Sequence, residues 1–353
     1  MTARTFLKNA WYMAGWSVDF PAGPLTPLTI LGEPVVLYRT QGAGLVALED
    51  RCCHRHAPLS HGRLEGDNLR CMYHGLKFAP SGACVEMPGS NAIPAVMKVR
   101  TYPVVERHSA AWIWMGAPEH ADEALIPPFV GVDDPAWHMK PGHMDYDVYY
   151  ELVQDNLLDL SHVAYVHRNT FGGGEDATVQ AWSEGDIRVS QIDRGVRVER
   201  WMRNAPAPSH QAGLSGAFCD VLSSFDYLVP GVFLLTTRNF RAGAFERSGG
   251  AVPEEEPVFS SFSAQAVTPL TARSTRYYFC YGPWSRMENG EKLKEPFADL
   301  AYRAFAEDRE MLTAQQRVID SDPARKMLLF GVDRAPILYG RLVEKLLKQE
   351  AAG

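Results

Sequence analysis

The chain has 353 residues, a net charge of −7, 46% apolar and 22% charged residues. That length is more than one hydrophobic core organises comfortably and suggests about two domains. The acidic balance excludes a general affinity for nucleic acid, and six cysteines are too few for a disulfide framework.

The N-terminus, MTARTFLKNAWYMAG, lacks an apolar signal core, and no apolar run approaches the roughly 20 residues of a membrane span. These features predict a cytoplasmic protein with no membrane partner. From residue 28 to 115, short β-rich runs (PVVLYR, GLVALED, VEMPG, YPVVER, AAWIWMG) alternate with Gly- and Pro-containing turns. They predict an all-β N-terminal domain over residues 1–118, a small antiparallel barrel or sandwich. Residues 117 to 136 are Pro-rich and acidic and read as a linker into a second domain, 119–353. There, helices are expected at 148–165, 295–320 and 338–349, around a long β-rich region from 176 to 285. The fold class is therefore α+β, with a helix-flanked antiparallel sheet in the C-terminal domain.

Inside the β-rich half, residues 52–78 read CCHRHAPLSHGRLEGDNLRCMYHGLKF. Cys52 and His54 form one close pair, and Cys71 and His74 another. In a reducing compartment such clusters hold metal more often than they form disulfides. Four such donors suit a tetrahedral zinc. They equally suit a Rieske [2Fe–2S] cluster, whose two irons take two cysteines and two histidines respectively. The surroundings favour the cluster. The loops lie between strands rather than before a helix, Gly75 permits a tight turn after His74, and Pro58 stiffens the first loop. Tyr73 could aim its hydroxyl at a cluster sulfur and tune its potential. His56 and His61 read as ordinary loop histidines. Cys84, Cys219 and Cys280 read as buried apolar residues.

A second constellation sits in YYELVQDNLLDLSHVAYVHRN, with Asn156, Asp159, His162 and His167. On an unbroken helix His162 and His167 point about 140° apart, so they share an ion only if the helix bends or ends between them. In FADLAYRAFAEDREMLTAQQ an apolar stripe runs through Phe297, Ala301, Ala304, Phe305, Met311 and Leu312. Asp308 lies on that stripe, and Glu307 and Glu310 lie off it. A buried carboxylate needs a cation, either a metal or an arginine such as Arg303 or Arg317. Two histidines and one carboxylate with open positions make the facial triad of non-haem iron oxygenases.

The cluster segment, the opening NAWYMAG and the D-x-x-H-x4-H pattern with a later Glu-Asp together resemble the Rieske non-haem iron oxygenases. The vanillate O-demethylase and dicamba monooxygenase group is the most similar. Cys53 departs from the pattern, standing where these proteins usually have proline. The resemblance implies a [2Fe–2S] cluster on Cys52, His54, Cys71 and His74, and Fe(II) on His162, His167 and Asp308. It also implies that Asp159 hydrogen-bonds His162 and bridges to His74 of a neighbouring subunit in a homotrimer, with Asn156 close to the iron. O2 is then the co-substrate. The chain has no dinucleotide-binding glycine fingerprint, so NADH would act only through a flavin- and ferredoxin-type reductase. Five basic residues against two acidic ones between 51 and 77 read either as a docking patch for that partner or as ordinary surface charge. The expected reaction is O-demethylation of a vanillate-like methoxylated aromatic acid. The expected pocket lies between the sheet and the helix at Asn156. Gln265 is the candidate substrate residue, and Arg203 or Arg238 could meet a substrate carboxylate.

Overall fold

A computed structural model of the chain describes residues 6–172, 176–207, 211 and 218–352, with residues 176–179 described by their backbone alone. The chain divides into two compact units, one comprising residues up to Ile126 together with Thr268–Ala272, the other Pro127–Val267 with the residues from Arg273 onward.

The first unit is built from strands and short 3-10 turns. Strands β1 (Trp11–Trp16), β10 (Val104–Arg107) and β11 (Ala110–Trp114) form one antiparallel sheet in the order β1-β11-β10. Strands β2 (Thr26–Ile30), β3 (Glu33–Arg39), β4 (Leu45–Glu49) and β9 (Thr101–Tyr102) form a second. The third is a set of very short strands, β5 (Arg63–Glu65), β6 (Asn68–Arg70), β7 (Lys77–Phe78) and β8 (Cys84–Glu86). The predicted run YPVVER is split between β9 and β10 by Pro103, which has no N–H for a ladder. Strand β1 escaped the sequence reading. All six of its residues are buried, so it shows none of the alternation that marks a half-exposed strand.

The second unit holds a seven-stranded antiparallel sheet in the order β12-β18-β17-β16-β15-β14-β13. Its members are β12 (Pro141–Tyr146), β13 (Asp186–Ile192), β14 (Gly195–Pro206), β15 (Phe218–Leu228), β16 (Val232–Arg241), β17 (Phe259–Thr271) and β18 (Ser274–Pro283). Residues 208–210 and 212–217 of the expected β-rich region lie outside the described residues. The first eight residues of that region, expected to be part of its β structure, instead form helix α2 (Asp176–Ser183), which follows α1 (Tyr150–Leu158).

Helix α3 (Gly290–Ser321) packs on β12 and β18, and α4 (Arg334–Ala352) packs on β13 and β14. Tyr146 of β12 donates its hydroxyl to the Phe305 carbonyl at 2.7 Å, fixing where α3 sits on the sheet. The stripe of α3 is buried at Phe297, Ala301, Ala304, Phe305, Asp308 and Leu312, as its periodicity requires. Met311, placed on the stripe by the sequence reading, is exposed, because it lies at the stripe's edge.

Candidate metal centres

The two Cys/His loops of the first unit share one backbone design. In each, the cysteine N–H donates to the carbonyl five residues on, Cys52 to Ala57 and Cys71 to Leu76, both at 2.8 Å. In each, the cysteine carbonyl accepts from the residue four on, His56 N at 2.9 Å and Gly75 N at 3.0 Å. That fourth residue is left-handed in both loops, φ 56° at His56 and 78° at Gly75. The loops are thus near-duplicates, and each presents one thiol and one imidazole.

Both thiols are buried in the core of their unit beside Leu59, Leu69 and Phe78, whereas both imidazoles are exposed. The Cys52 and Cys71 thiols contact each other, and the His54 and His74 rings meet edge to face at 4.6 Å. Burial, with the Cys71 thiol beside it, pushes the Cys52 thiol up to about 11. A thiol so shifted releases its proton only to a strongly attractive cation. Sulfur donors gathered on one side and nitrogen donors on the other fit a two-iron cluster with chemically distinct ends.

Tyr73 is exposed, with its ring against His74 at 4.0 Å. Its ring therefore packs against the imidazole at the exposed face of the loop. Cys53 is half-buried at the edge of the same core. Four of the five basic residues proposed as a docking patch are already ion-paired. Arg51 pairs with Glu49, Arg63 with Glu65, and Arg70 and Lys77 with both Glu65 and Glu86. Most of that positive charge is therefore neutralised locally, which favours ordinary surface charge.

In the second unit, the break that the histidine spacing demanded lies between the two histidines, where a 3-10 helix ends at Ala164. Helix α1 ends at Leu158, Asp159 takes an extended conformation (φ −128°, ψ 97°), and a 3-10 helix runs from Leu160 to Ala164. The Asp159 carboxylate caps that 3-10 helix, accepting from Ser161 N at 2.9 Å and Ser161 Oγ at 2.8 Å. The chain then turns through Tyr165 and Val166 before His167. The end of that 3-10 helix and the turn after it bring the two rings to 5.1 Å, edge to face.

His162, His167 and Asp308 offer ligand atoms within 4.8 Å of one another, the one such group among the described residues. His162 Nε2 lies 3.6 Å from Asp308 Oδ1, and His167 Nε2 lies 3.2 Å from Asp308 Oδ2. Asn156 donates from Nδ2 to Asp308 Oδ1 at 3.0 Å. Among the described residues the partners of Asp308 are His162, His167 and Asn156, and neither Arg303 nor Arg317 pairs with it. Asp308 is thus a buried carboxylate among two imidazoles and an amide, a donor set that fits Fe(II) with open positions.

Each histidine is backed at Nδ1. His162 Nδ1 lies 2.6 Å from the Asp159 backbone carbonyl, so the expected bond to Asp159 is made by main chain and not by the carboxylate. His167 Nδ1 lies 2.9 Å from Glu307 Oε2. Glu307 was set aside in the sequence because it lies off the apolar stripe; its neighbouring position to Asp308 was the available signal. Burial lowers the pKa of the His162 imidazole and keeps it neutral. Burial acts on His167 in the same direction, but the Asp308 and Glu307 carboxylates outweigh it and raise the pKa.

This cluster forms one wall of a cavity of about 110 Å3. The other walls come from β15, β16, β17 and β18, as expected, and also from β14 and from Ala181 and Trp182 of α2. They are mainly apolar, with Ser223, Thr237 and Gln265 among the polar members. Gln265 is buried, donates to Ser263 Oγ at 2.8 Å and accepts from the Tyr277 hydroxyl. No Lys or Arg lines the cavity among the described residues. Arg203 instead pairs with Asp186 at 3.5 Å and is half exposed, and Arg238 is not among the lining residues.

A Rieske domain model matches residues 10–103, and a model described as the vanillate O-demethylase oxygenase C-terminal domain matches residues 146–349. The iron-sulfur subunit of the toluene-4-sulfonate monooxygenase system of Comamonas testosteroni is 38% identical over 351 residues, covering 99% of each chain. The oxygenase component of dicamba O-demethylase of Stenotrophomonas maltophilia is 33% identical, over 99% of this chain and all of the other. The crystal structure of dicamba monooxygenase bound to 3,6-dichlorosalicylic acid superposes with a TM-score of 0.87 at 30% identity, over 99% of this chain and 100% of that one.

A [2Fe–2S] domain joined to a mononuclear iron domain defines a terminal oxygenase, an oxidoreductase that uses O2. The chain belongs to the vanillate O-demethylase oxygenase family of Rieske non-haem iron oxygenases. Its cofactors are the Rieske cluster and mononuclear iron, and NADH reaches it only through a reductase partner. No helix among the described residues is long and apolar enough to cross a membrane.

Proposed function

We propose that this oxygenase oxidises the methyl carbon of a methoxylated aromatic acid, vanillate-like, and so O-demethylates it. The supporting observation is the His162–His167–Asp308 group set in the wall of a mainly apolar cavity. The cavity is on the scale of the ~150 Å3 apolar cavity that takes up a benzene. Cys52, His54, Cys71 and His74 hold the cluster, and His162, His167 and Asp308 hold the ferrous ion. When bound, the two metal centres supply the stored electron and the site of O2 reduction.

The chain's own residues do the rest. Phe233, Leu235 and Phe305 press the ring into a dry pocket. Gln265, held by Ser263 and Tyr277, has a remaining amide hydrogen with which to meet a polar substituent. Asn156 steadies the Asp308 carboxylate. Insertion of one oxygen atom into the methyl C–H bond gives a hemiacetal, which loses formaldehyde and leaves a phenol. The second oxygen atom leaves as water, with two electrons from NADH and two protons. Asp159 links the mononuclear site to His74 of a neighbouring subunit in a homotrimer.

A second reading is hydroxylation of an aryl methyl group, favoured by the 38% identity to the toluene-4-sulfonate enzyme subunit. A panel of methoxybenzoates and methylated arenes, assayed with a reductase and NADH, separates the two. Demethylation gives formaldehyde in equal amount to a phenol. Hydroxymethyl products without formaldehyde overturn it in favour of the second reading.

A further inference from the structure

The two histidines of the mononuclear site stand in different electrostatic settings. His162 Nδ1 meets a neutral backbone carbonyl, that of Asp159, at 2.6 Å. His167 Nδ1 meets a full carboxylate, Glu307 Oε2, at 2.9 Å. The same Glu307 oxygen accepts from Thr170 Oγ1 at 2.7 Å. Glu307 and Asp308 are consecutive on α3, yet they reach opposite edges of one imidazole, Glu307 at Nδ1 and Asp308 at Nε2. The stretch after His167 folds back on it as well, with Thr170 N at 3.0 Å and Gly172 N at 2.8 Å from the His167 carbonyl.

We propose that Glu307 is a positioning residue for the mononuclear metal, fixing His167 as the Nδ1–H tautomer and making its Nε2 the stronger of the two imidazole donors. A carboxylate accepting the Nδ1 proton pulls that proton towards itself and leaves more negative charge on the ring, so electron density at Nε2 rises. A backbone carbonyl has the same geometry without the charge, so His162 gains orientation but less basicity. Thr170 holds the Glu307 oxygen in line, and the rings of His167 and Phe171 meet edge to face at 5.7 Å. The tautomer and the tilt of His167 are therefore set before any metal arrives.

This inference rests on the reading of His162, His167 and Asp308 as the metal ligands. It is tested by metal affinity and not by turnover. Protein that retains its Rieske cluster is stripped of mononuclear metal and titrated with cobalt(II), followed by the d–d absorption of the bound ion. The cluster's visible spectrum serves as an internal check on folding. Glu307→Gln keeps an acceptor of the same shape and removes the charge, and Glu307→Ala removes both. The expected result is cobalt affinity lowered by roughly 10–100-fold in Glu307→Ala, the range for removing a partner behind a metal-bound histidine. Glu307→Gln should fall between it and the parent, with a shifted d–d band that a purely structural role would leave unmoved. Thr170→Val should weaken binding less than either. Parent-like affinity and spectrum in both Glu307 variants overturn the proposal. If Glu307→Ala fails to fold, Glu307→Gln alone decides it by the same criterion. Failure of the parent protein itself to bind cobalt at this site would instead remove the ligand assignment beneath it.

Discussion

Asn156 donates its side-chain amide to Asp308 across 3.0 Å, joining α1 to α3 at the point where the two imidazoles converge. Asp308 is buried, and a buried carboxylate left without a donor is costly. Asn156→Leu is expected to destabilise the protein by roughly 1–3 kcal/mol when the mononuclear metal has been removed. With the metal present the loss should shrink, because the cation then balances the carboxylate. Denaturant unfolding of the two forms measures the difference.

Asp308→Ala removes the single carboxylate of the group and should abolish turnover, by at least about a thousandfold if the ion contributes several kcal/mol to the reaction. The visible spectrum of the Rieske cluster should remain unchanged, because its donors lie in the other compact unit. Retained turnover would show that the carboxylate ligand is another residue.

The left-handed positions of the two cluster loops should respond oppositely to glycine and to alanine. At Gly75, with φ 78°, an added Cβ meets Pro88 Cγ at 2.9 Å. Gly75→Ala therefore costs about 1–2 kcal/mol of backbone strain in addition to that contact. Its chains should retain less iron and acid-labile sulfide after purification. His56 tolerates φ 56° as histidine sometimes does, and His56→Gly should keep the cluster while His56→Val loses it. Absorbance of the cluster per chain reads all three variants.

Asp145 of β12 and Arg276 of β18 form a two-pronged pair at 2.7 and 2.8 Å. The guanidinium holds the Asp145 carboxyl below the usual carboxylate range, against the opposing effect of burial. A carboxyl whose folded value is depressed adds stability above its unfolded pKa, and that stability is lost as the pH falls through the folded one. Arg276→Met should therefore cost about 1 kcal/mol at neutral pH. The gap between parent and variant should close as the pH drops below about 4. Chemical denaturation at a series of pH values traces the closing.

The candidate metal ligands were legible because ligand chemistry is written in residue type and local spacing. Cys52, His54, Cys71 and His74 stand within one 23-residue stretch, and each pair needs only its own loop to present it. The helices at 148, 295 and 338 were legible from apolar periodicity, and Asp308 stood out because a carboxylate on a buried face needs an answer. Strand β1 and helix α2 were not; full burial erased the alternation of β1.

What the tertiary structure alone decided is which atoms meet. Spacing left His162 and His167 pointing apart, and the end of the 3-10 helix at Ala164 with the turn after it brought them together. The resemblance implied a hydrogen bond between Asp159 and His162, and the fold makes it with the Asp159 backbone carbonyl. Glu307 lay off the apolar stripe, yet it reaches His167 from 140 positions away. The sequence by itself determined the donors, because donor chemistry belongs to single residues. Which donor faces which required the packing of α3 on the sheet, because a contact between distant segments is a property of how two surfaces fit and is written in neither segment alone.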